Sequence, residues 1–185
     1  MTHRDAVSLL DHSALRGFTR MPMPLPGHPP LHWADLGCGA GTFTVALADY
    51  LPAGSTIDAI DLTPGIKKQT TPAGIHIQPM AADFTLPNPA LNRLDGILMA
   101  NSLHYVNDKP AFLKTLHAAL KPGGLLALVE YDTDTPVARW VPFPVSFTTA
   151  TRLLTPPHWQ TPQKGNTHPS AFGRSRLYAA FAIRK

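Results

Sequence analysis

The sequence predicts an α/β fold, one mostly parallel sheet with helices on both faces. Three observations carry that prediction. From Leu31 to Glu130, short strand-like segments alternate with amphipathic helical ones at the spacing of βαβ units. The first strand-to-helix junction is glycine-rich, Gly37-Cys-Gly-Ala-Gly41. The run from Leu94 to Met99 is almost continuously apolar after Asp95, as expected of a strand buried on both faces. At 185 residues the chain is long enough for one domain with its own core.

Each element has a local reason. Residues 4–16 read as a short amphipathic helix, with Val7, Leu10 and Ala14 at helical spacing, ending at Gly17. Pro22, Pro24, Pro26, Pro29 and Pro30 then exclude helix and interior strand, so this stretch is an extended linker. His32 to Leu36 is the first strand. A helix runs from Thr42 to about Leu51, with Phe43, Leu47 and Leu51 on one stripe. Thr56 to Ile60 is the second strand, capped by Asp61. Thr63-Pro64 reads as the start of a helix of two turns. Ile75 to Met80 is a third strand and Leu94 to Met99 a fourth. A helix from Pro110 to Leu120 stops at Lys121-Pro-Gly-Gly124, and Leu125 to Glu130 is the fifth strand. Beyond Asp132 the pattern weakens to a helix over 145–154, a proline-rich polar stretch over 156–168 holding one strand, and a last strand over 176–183.

Composition removes several function classes. Prolines number 20, about twice the usual share, which excludes a long-helix bundle or coiled coil. Between Leu31 and Glu130 they fall at element ends. The net charge of +4 comes without any run of five basic residues, so a nucleic-acid partner is not indicated. No apolar stretch is long enough to span a membrane, and residues 1–11 lack the apolar run of a signal peptide. With Cys38 as the single cysteine, this predicts a reducing, cytoplasmic setting. No metal site is expected: His28 and His32 lie in and beside the linker, and no cluster has zinc spacing. Asp58 is expected to be solvated. Nothing in the sequence specifies an oligomeric state.

The glycine loop carries the chemistry. Ala34-Asp-Leu-Gly-Cys-Gly-Ala-Gly41 misses the dinucleotide pattern G-x-G-x-x-G, because Thr42 or Thr44 stands where the last glycine belongs. It also lacks the Gly-Lys-Ser/Thr ending of a Walker loop. It resembles instead the first motif of class I S-adenosylmethionine-dependent methyltransferases, (D/E)-x-G-x-G-x-G. The resemblance continues in order along residues 31–131. Asp61 stands 20 residues past Gly41, Ala82-Asp83-Phe84 follows the third strand, Asp95 to Tyr105 is similar to the fourth-strand motif, and Leu120 to Glu130 to the next segment.

The resemblance implies a Rossmann-like sandwich whose last strand is antiparallel, forming a single domain. Residues 1–30 would be an N-terminal helix and linker, 31–131 a cofactor-binding core, and 132–185 the acceptor side. It implies S-adenosylmethionine as cofactor, with S-adenosylhomocysteine as product. The binding residues carried over are Asp35, Gly37, Cys38, Gly39, Gly41, Asp61, Leu62, Ala82, Asp83, Phe84, Asn101 and Ser102. Asp61 would bond the two ribose hydroxyls, a task that suits an acceptor-only carboxylate. Asp83 and the backbone of Phe84 would read the adenine, and Asp35 would reach the methionine amino group. Cys38 is a packing residue rather than a nucleophile.

His104, Tyr105, Glu130, Tyr131 and Asp132 follow the C-terminal ends of the fourth and fifth strands, where open α/β sheets bind ligands. His104 is the candidate catalytic base, with wall of the site as the alternative. Tyr105, Tyr131, Trp140 and Phe143 are the candidate acceptor-site residues, the last two with a bracing core segment as the alternative. Lys164 to Arg176 reads as a solvated loop, and the N-terminal helix is the only visible cover for the site. An Asn/Asp-Pro-Pro-Tyr motif is absent after the fourth strand, where Asn101-Ser-Leu-His104 stands. The reading is methyl transfer to a small molecule, at oxygen or carbon. An RNA or protein methyltransferase and a non-catalytic cofactor-binding protein remain as alternatives.

Overall fold

The computed structural model describes residues 1–19, 29–86, 91–170 and 176–185. Among these, eight strands form one sheet in the order β3-β4-β2-β1-β5-β6-β8-β7. The strands are β1 (His32–Leu36), β2 (Thr56–Asp61), β3 (Gln69–Thr70), β4 (His76–Ala81), β5 (Leu94–Ala100), β6 (Leu120–Tyr131), β7 (Gln163–Pro169) and β8 (Arg176–Ile183). β4, β2, β1, β5 and β6 are parallel, while β3, β8 and β7 run antiparallel to their neighbours. This is the predicted mostly parallel sheet, with an antiparallel strand at each end rather than only at the last position.

The helices are α1 (His3–Leu10), α2 (Ser13–Thr19), α3 (Thr42–Ala48), α4 (Lys109–Ala119) and α5 (Phe147–Leu153). One face of the sheet packs Ala6, Leu9, Leu10 and Leu15 of the first two helices and Phe43 and Leu47 of α3 against Leu98, Ala127 and Phe181. The other face packs Phe112, Leu113 and Leu116 of α4 and Ala150 of α5 against Ile97, Leu126 and Tyr178. Burial on both faces explains the apolar run of β5. Its one charged residue, Asp95, sits at the strand entry, where it accepts Lys121 Nζ at 2.6 Å and the His32 backbone N–H at 2.8 Å. Gly96 is set by its neighbour: a Cβ there would lie 2.3 Å from the Trp33 ring.

Caps place the helices where the sequence implies. Asp108 accepts the Ala111 N–H and Ser146 accepts the Thr149 N–H, which starts α4 and α5. No helix among the described residues is long and apolar enough to cross a membrane.

Five expectations need correction. The helix expected over 4–16 is two helices, α1 and α2, and the second runs through Gly17. The break at Asp11 and His12 follows from competing bonds: Asp11 takes an extended conformation and pairs with Arg16, and the His12 ring stacks on Phe181 at 4.9 Å. The pair α1–α2 is also no cover for the glycine loop. His3 bonds Asp49 and Tyr50 donates to the Val7 carbonyl, both beyond the C-terminal end of α3, the end away from the loop. The helix expected at Thr63-Pro64 does not form. The Thr63 N–H turns back to Asp61 and the Gly65 N–H bonds the Gly39 carbonyl, so the segment is fastened to the glycine loop as an irregular turn. Asp58 is not simply solvated but accepts from His32 Nε2 at 2.6 Å, which also commits that histidine. Lys164 to Pro169 is strand, with Lys164 paired to Asp132, rather than loop. The linker prolines from Pro22 to Pro26, with His28, and Arg174 lie outside the described residues.

Candidate functional site

Strand order reverses between β1 and β5: from β1 the chain proceeds to β2 on one side, and β5 and β6 follow on the other. The C-terminal ends of adjacent β1 and β5 are where such sheets bind ligands. The glycine loop emerges there. Gly37, Gly39 and Gly41 all have positive φ, at 81°, 52° and 82°. A side chain at such φ is strained, and at two of the three it also collides. A Cβ on Gly37 would lie 2.5 Å from the Ser102 Cβ, and one on Gly41 2.6 Å from Ile66. At Gly39 a Cβ would meet nothing within 4 Å. That glycine faces open space.

The loop is held from both sides. The Gly37 and Cys38 N–H groups bond the Ile60 carbonyl at 2.7 and 3.0 Å, and Ser102 Oγ donates to the Leu36 carbonyl at 2.6 Å. Asp61 at the end of β2 accepts Gly39 N–H at 3.0 Å through one oxygen and Thr63 N–H at 2.9 Å through the other. Each oxygen keeps a second lone pair. Leu62 beside it is 71% exposed, an apolar surface at the rim of the loop.

Beneath the loop two buried acceptors lack a donor. Asp35 accepts Thr44 Oγ1 at 2.5 Å through Oδ2, but its Oδ1 is buried without a partner. Burial raises the Asp35 pKa to about 7, the Thr44 bond opposing and the nearby Asp61 charge adding to the rise. Asn101 ends β5 at a left-handed φ of 55°, and its Oδ1 is likewise buried and unbonded. A buried acceptor without a donor costs about 1–3 kcal/mol, so this pair calls for a ligand that donates. An ammonium group fits that demand.

Cys38 is 8% exposed, and burial pushes its thiol up to about 12, with the charges of Asp35 and Asp61 assisting. It stays protonated and packs with Ala59, Ile66 and Ile77. Ala82 N–H bonds the Asp61 carbonyl at 2.9 Å, and Asp83 Oδ1 accepts the N–H and hydroxyl of Thr85. Phe84 lies edge-on to Phe112, centroids 6.2 Å apart, and lies close to the space above Gly37. Asp61, Asp83 and Phe84 are therefore brought to the same end of the sheet as the glycine loop.

The second half of the site lies at the ends of β5 and β6. His104 Nδ1 is 2.7 Å from Glu130 Oε2, and the His104 backbone N–H bonds Oε1 at 3.2 Å. The two side chains are 2% and 1% exposed. Tyr105 and Tyr131 flank the imidazole, with centroids at 4.4 and 6.0 Å. The Phe143 N–H bonds the His104 carbonyl at 3.0 Å. Lys109 buries its ammonium against the carbonyls of Val106 at 2.8 Å and Phe143 at 2.6 Å. Burial lowers the Lys109 pKa, and the charge of Glu130 opposes that fall. A cavity of about 430 Å³ opens beside Tyr105, between Thr85-Leu86 and the start of α4. Phe143 is partly exposed and Trp140 is 75% exposed, so the bracing-core alternative fails for Trp140.

Three contributors were not legible in the sequence. Thr44 is one helical turn past the loop and resembles any other helix residue. Lys109 stands one residue before the helix start expected at Pro110 and carries no mark of its burial. Gly65, whose Cβ would lie 3.1 Å from Ala40 Cα, is marked only by the isolated Pro-Gly step.

The family model described as "Methyltransferase domain" matches residues 10–183. Among curated proteins, a ubiquinone biosynthesis O-methyltransferase of Methylobacterium nodulans is 32% identical over 110 residues, 57% of this chain and 42% of that protein. A trans-aconitate 2-methyltransferase of Delftia acidovorans is 35% identical over 104 residues, 55% of this chain and 38% of that protein. The chain spans about half the length, or less, of these relatives. Among solved structures, the 1,6-didemethyltoxoflavin-N1-methyltransferase of Burkholderia thailandensis, with bound S-adenosylhomocysteine, superposes with a TM-score of 0.64 at 20% identity, covering 99% of this chain and 84% of that one. The magnesium protoporphyrin IX methyltransferase of Synechocystis gives 0.63 at 16% identity, covering 99% and 80%. At these identities the structures show a shared fold.

Proposed function

This chain belongs to the methyltransferase-domain family, and from that premise we propose that it binds S-adenosylmethionine and transfers its methyl group to a small-molecule acceptor. The single observation that carries the reading is the cradle at the end of β1. Three positive-φ glycines form the loop, Asp35 with its buried and unpaired Oδ1 stands two residues before it, and the carboxylate of Asp61 bonds its middle glycine. That donor and acceptor set fits the cofactor: an ammonium to meet Asp35 and Asn101, and vicinal hydroxyls to meet Asp61. Asp83 and the backbone at Phe84 would take the adenine, with Leu62 and Ala82 beside it. Ser102 holds the loop in place rather than offering its hydroxyl, which is already donated to the Leu36 carbonyl.

The cofactor supplies a methyl group on a sulfonium, already bonded to a good leaving group. The protein's part is to align the acceptor and exclude water, and such positioning is worth several kcal/mol. His104 would take a proton where the acceptor must lose one. Tyr105, Tyr131, Phe143 and Trp140 would form the acceptor wall. The small-molecule relatives and the lack of a basic run favour a metabolite over RNA as acceptor. The buried free thiol of Cys38 suits a reducing compartment such as the cytoplasm.

Titration calorimetry with S-adenosylmethionine tests the root of the proposal. Micromolar binding is expected, and no binding at millimolar cofactor would overturn it. Radiolabelled methyl transfer into a metabolite extract, compared with an RNA pool, then separates acceptor classes.

A further inference from the structure

The His104–Glu130 pair says more about the acceptor than the cofactor cradle does. We propose that Glu130 is a positioning residue holding His104 in the tautomer with a free Nε2, and that the acceptor is a weakly acidic hydroxyl, a phenol or enol, whose proton His104 removes. The inference rests on the methyltransferase reading and deepens it.

The tautomer follows from the contact. Ionised Glu130 can only accept, so the 2.7 Å bond puts the hydrogen on His104 Nδ1 and the lone pair on Nε2. The His104 backbone N–H on the other carboxylate oxygen fixes Glu130 in turn. No described residue bonds Nε2.

Lys109 is the buried cation that interacts with Glu130, and its ammonium is already turned to two carbonyls. One ammonium offsets one carboxylate. The other titratable groups around the pair are Tyr105 and Tyr131 beside the ring and Tyr178 and Asp132 near Glu130. Burial raises Tyr131 and Tyr178, so both keep their protons, and Tyr178 donates its own to the Val145 carbonyl.

A base so arranged is wasted on a carboxylic acid, which is already ionised at neutral pH and leaves the base no proton to remove. It serves a hydroxyl of pKa near that of tyrosine, about 10. In the step, the acceptor O–H gives its proton to His104 Nε2. The oxygen's electron pair forms the new bond to the methyl carbon. The carbon–sulfur pair leaves with the sulfonium sulfur as a neutral thioether. The imidazolium, paired with Glu130, then loses its proton to water. The aromatic faces of Tyr105 and Phe143 suit a flat acceptor.

Long-range 1H–15N spectra of the cofactor-free protein read the tautomer directly. A protonated Nδ1 and a bare Nε2 are expected, and the opposite tautomer overturns the proposal without any variant needing to fold. For the acceptor, catechol, 4-nitrophenol and benzoate serve as probes. Methyl transfer to the phenols but not to benzoate is expected. Transfer to benzoate as readily as to catechol, or to none of the phenols, overturns the acceptor class. His104→Ala should lose about a hundredfold or more in kcat with catechol and much less with 4-nitrophenol, which ionises unaided. Equal losses on both overturn the base. Glu130→Gln should lower kcat with little change in KM. Calorimetry run in parallel distinguishes the two failures: lack of cofactor binding by the unaltered protein overturns the methyltransferase reading itself, whereas intact binding with the wrong acceptor pattern overturns only this inference.

Discussion

The Asp61 carboxylate accepts the Gly39 N–H at 3.0 Å, and this bond fastens the end of β2 to the middle of the glycine loop. One side chain therefore shapes the cradle and presents lone pairs into it. Asp61→Ala removes both roles and should weaken S-adenosylmethionine binding about a hundredfold or more, near 2.7 kcal/mol. Asp61→Asn keeps one acceptor oxygen and should lose less. Calorimetry on both variants checks the order, and an unchanged affinity for Asp61→Ala would remove the ribose assignment.

Gly37 and Gly39 share a positive φ but differ in what surrounds them. Gly37→Ala drives a Cβ to 2.5 Å from Ser102 Cβ, so the loop or β5 must move. It should cost well over 1 kcal/mol of stability in addition to cofactor binding. Gly39→Ala meets nothing within 4 Å and carries only the left-handed penalty, about 1–2 kcal/mol. Its methyl would stand in the open space assigned to the cofactor, so affinity should drop at least tenfold while the fold survives. Thermal melts with calorimetry separate the two variants.

These contrasts mark how far the sequence was readable. The order β1, α3, β2, β4, β5, α4, β6 followed from periodicity, because each strand has one or two faces to bury and each helix one stripe. The cradle was legible because glycines at a strand-to-helix junction are needed for backbone reasons that leave a mark in the sequence. The break between α1 and α2 was not, because it depends on the His12 ring finding Phe181, a residue far along the chain. At Thr63, too, the segment that replaces the expected helix is tied to residues outside itself, with the Gly65 N–H on the Gly39 carbonyl. The His104–Glu130 contact joins residues 26 apart in sequence. Their types hinted at chemistry, but only the adjacency of β5 and β6 makes them a pair.

Trp140 is a large apolar side chain left 75% exposed near the same end of the sheet as His104. Removing it costs the fold little, so Trp140→Ala should change stability by less than about 0.5 kcal/mol. As part of the acceptor wall it should raise the acceptor KM severalfold without altering cofactor affinity. Steady-state kinetics with a methylated probe checks this, and an unchanged KM would remove Trp140 from the wall.

Asp35 gives the fold a pH dependence of defined sign. Its folded pKa of about 7 lies above the unfolded value of 3.8, so between these pH values the folded state binds more protons than the unfolded one. Stability of the cofactor-free protein should therefore fall as pH rises from about 4 to about 7, by at most about 4 kcal/mol for a shift of this size. Asp35→Asn keeps an acceptor for Thr44 Oγ1 and should flatten that slope. An ammonium-bearing ligand stabilises the ionised carboxylate, so saturating S-adenosylmethionine should shrink the slope in the unaltered protein and not in Asp35→Asn. Urea midpoints across this pH range, with and without cofactor, decide the matter: a slope that persists in Asp35→Asn would assign the effect to another group.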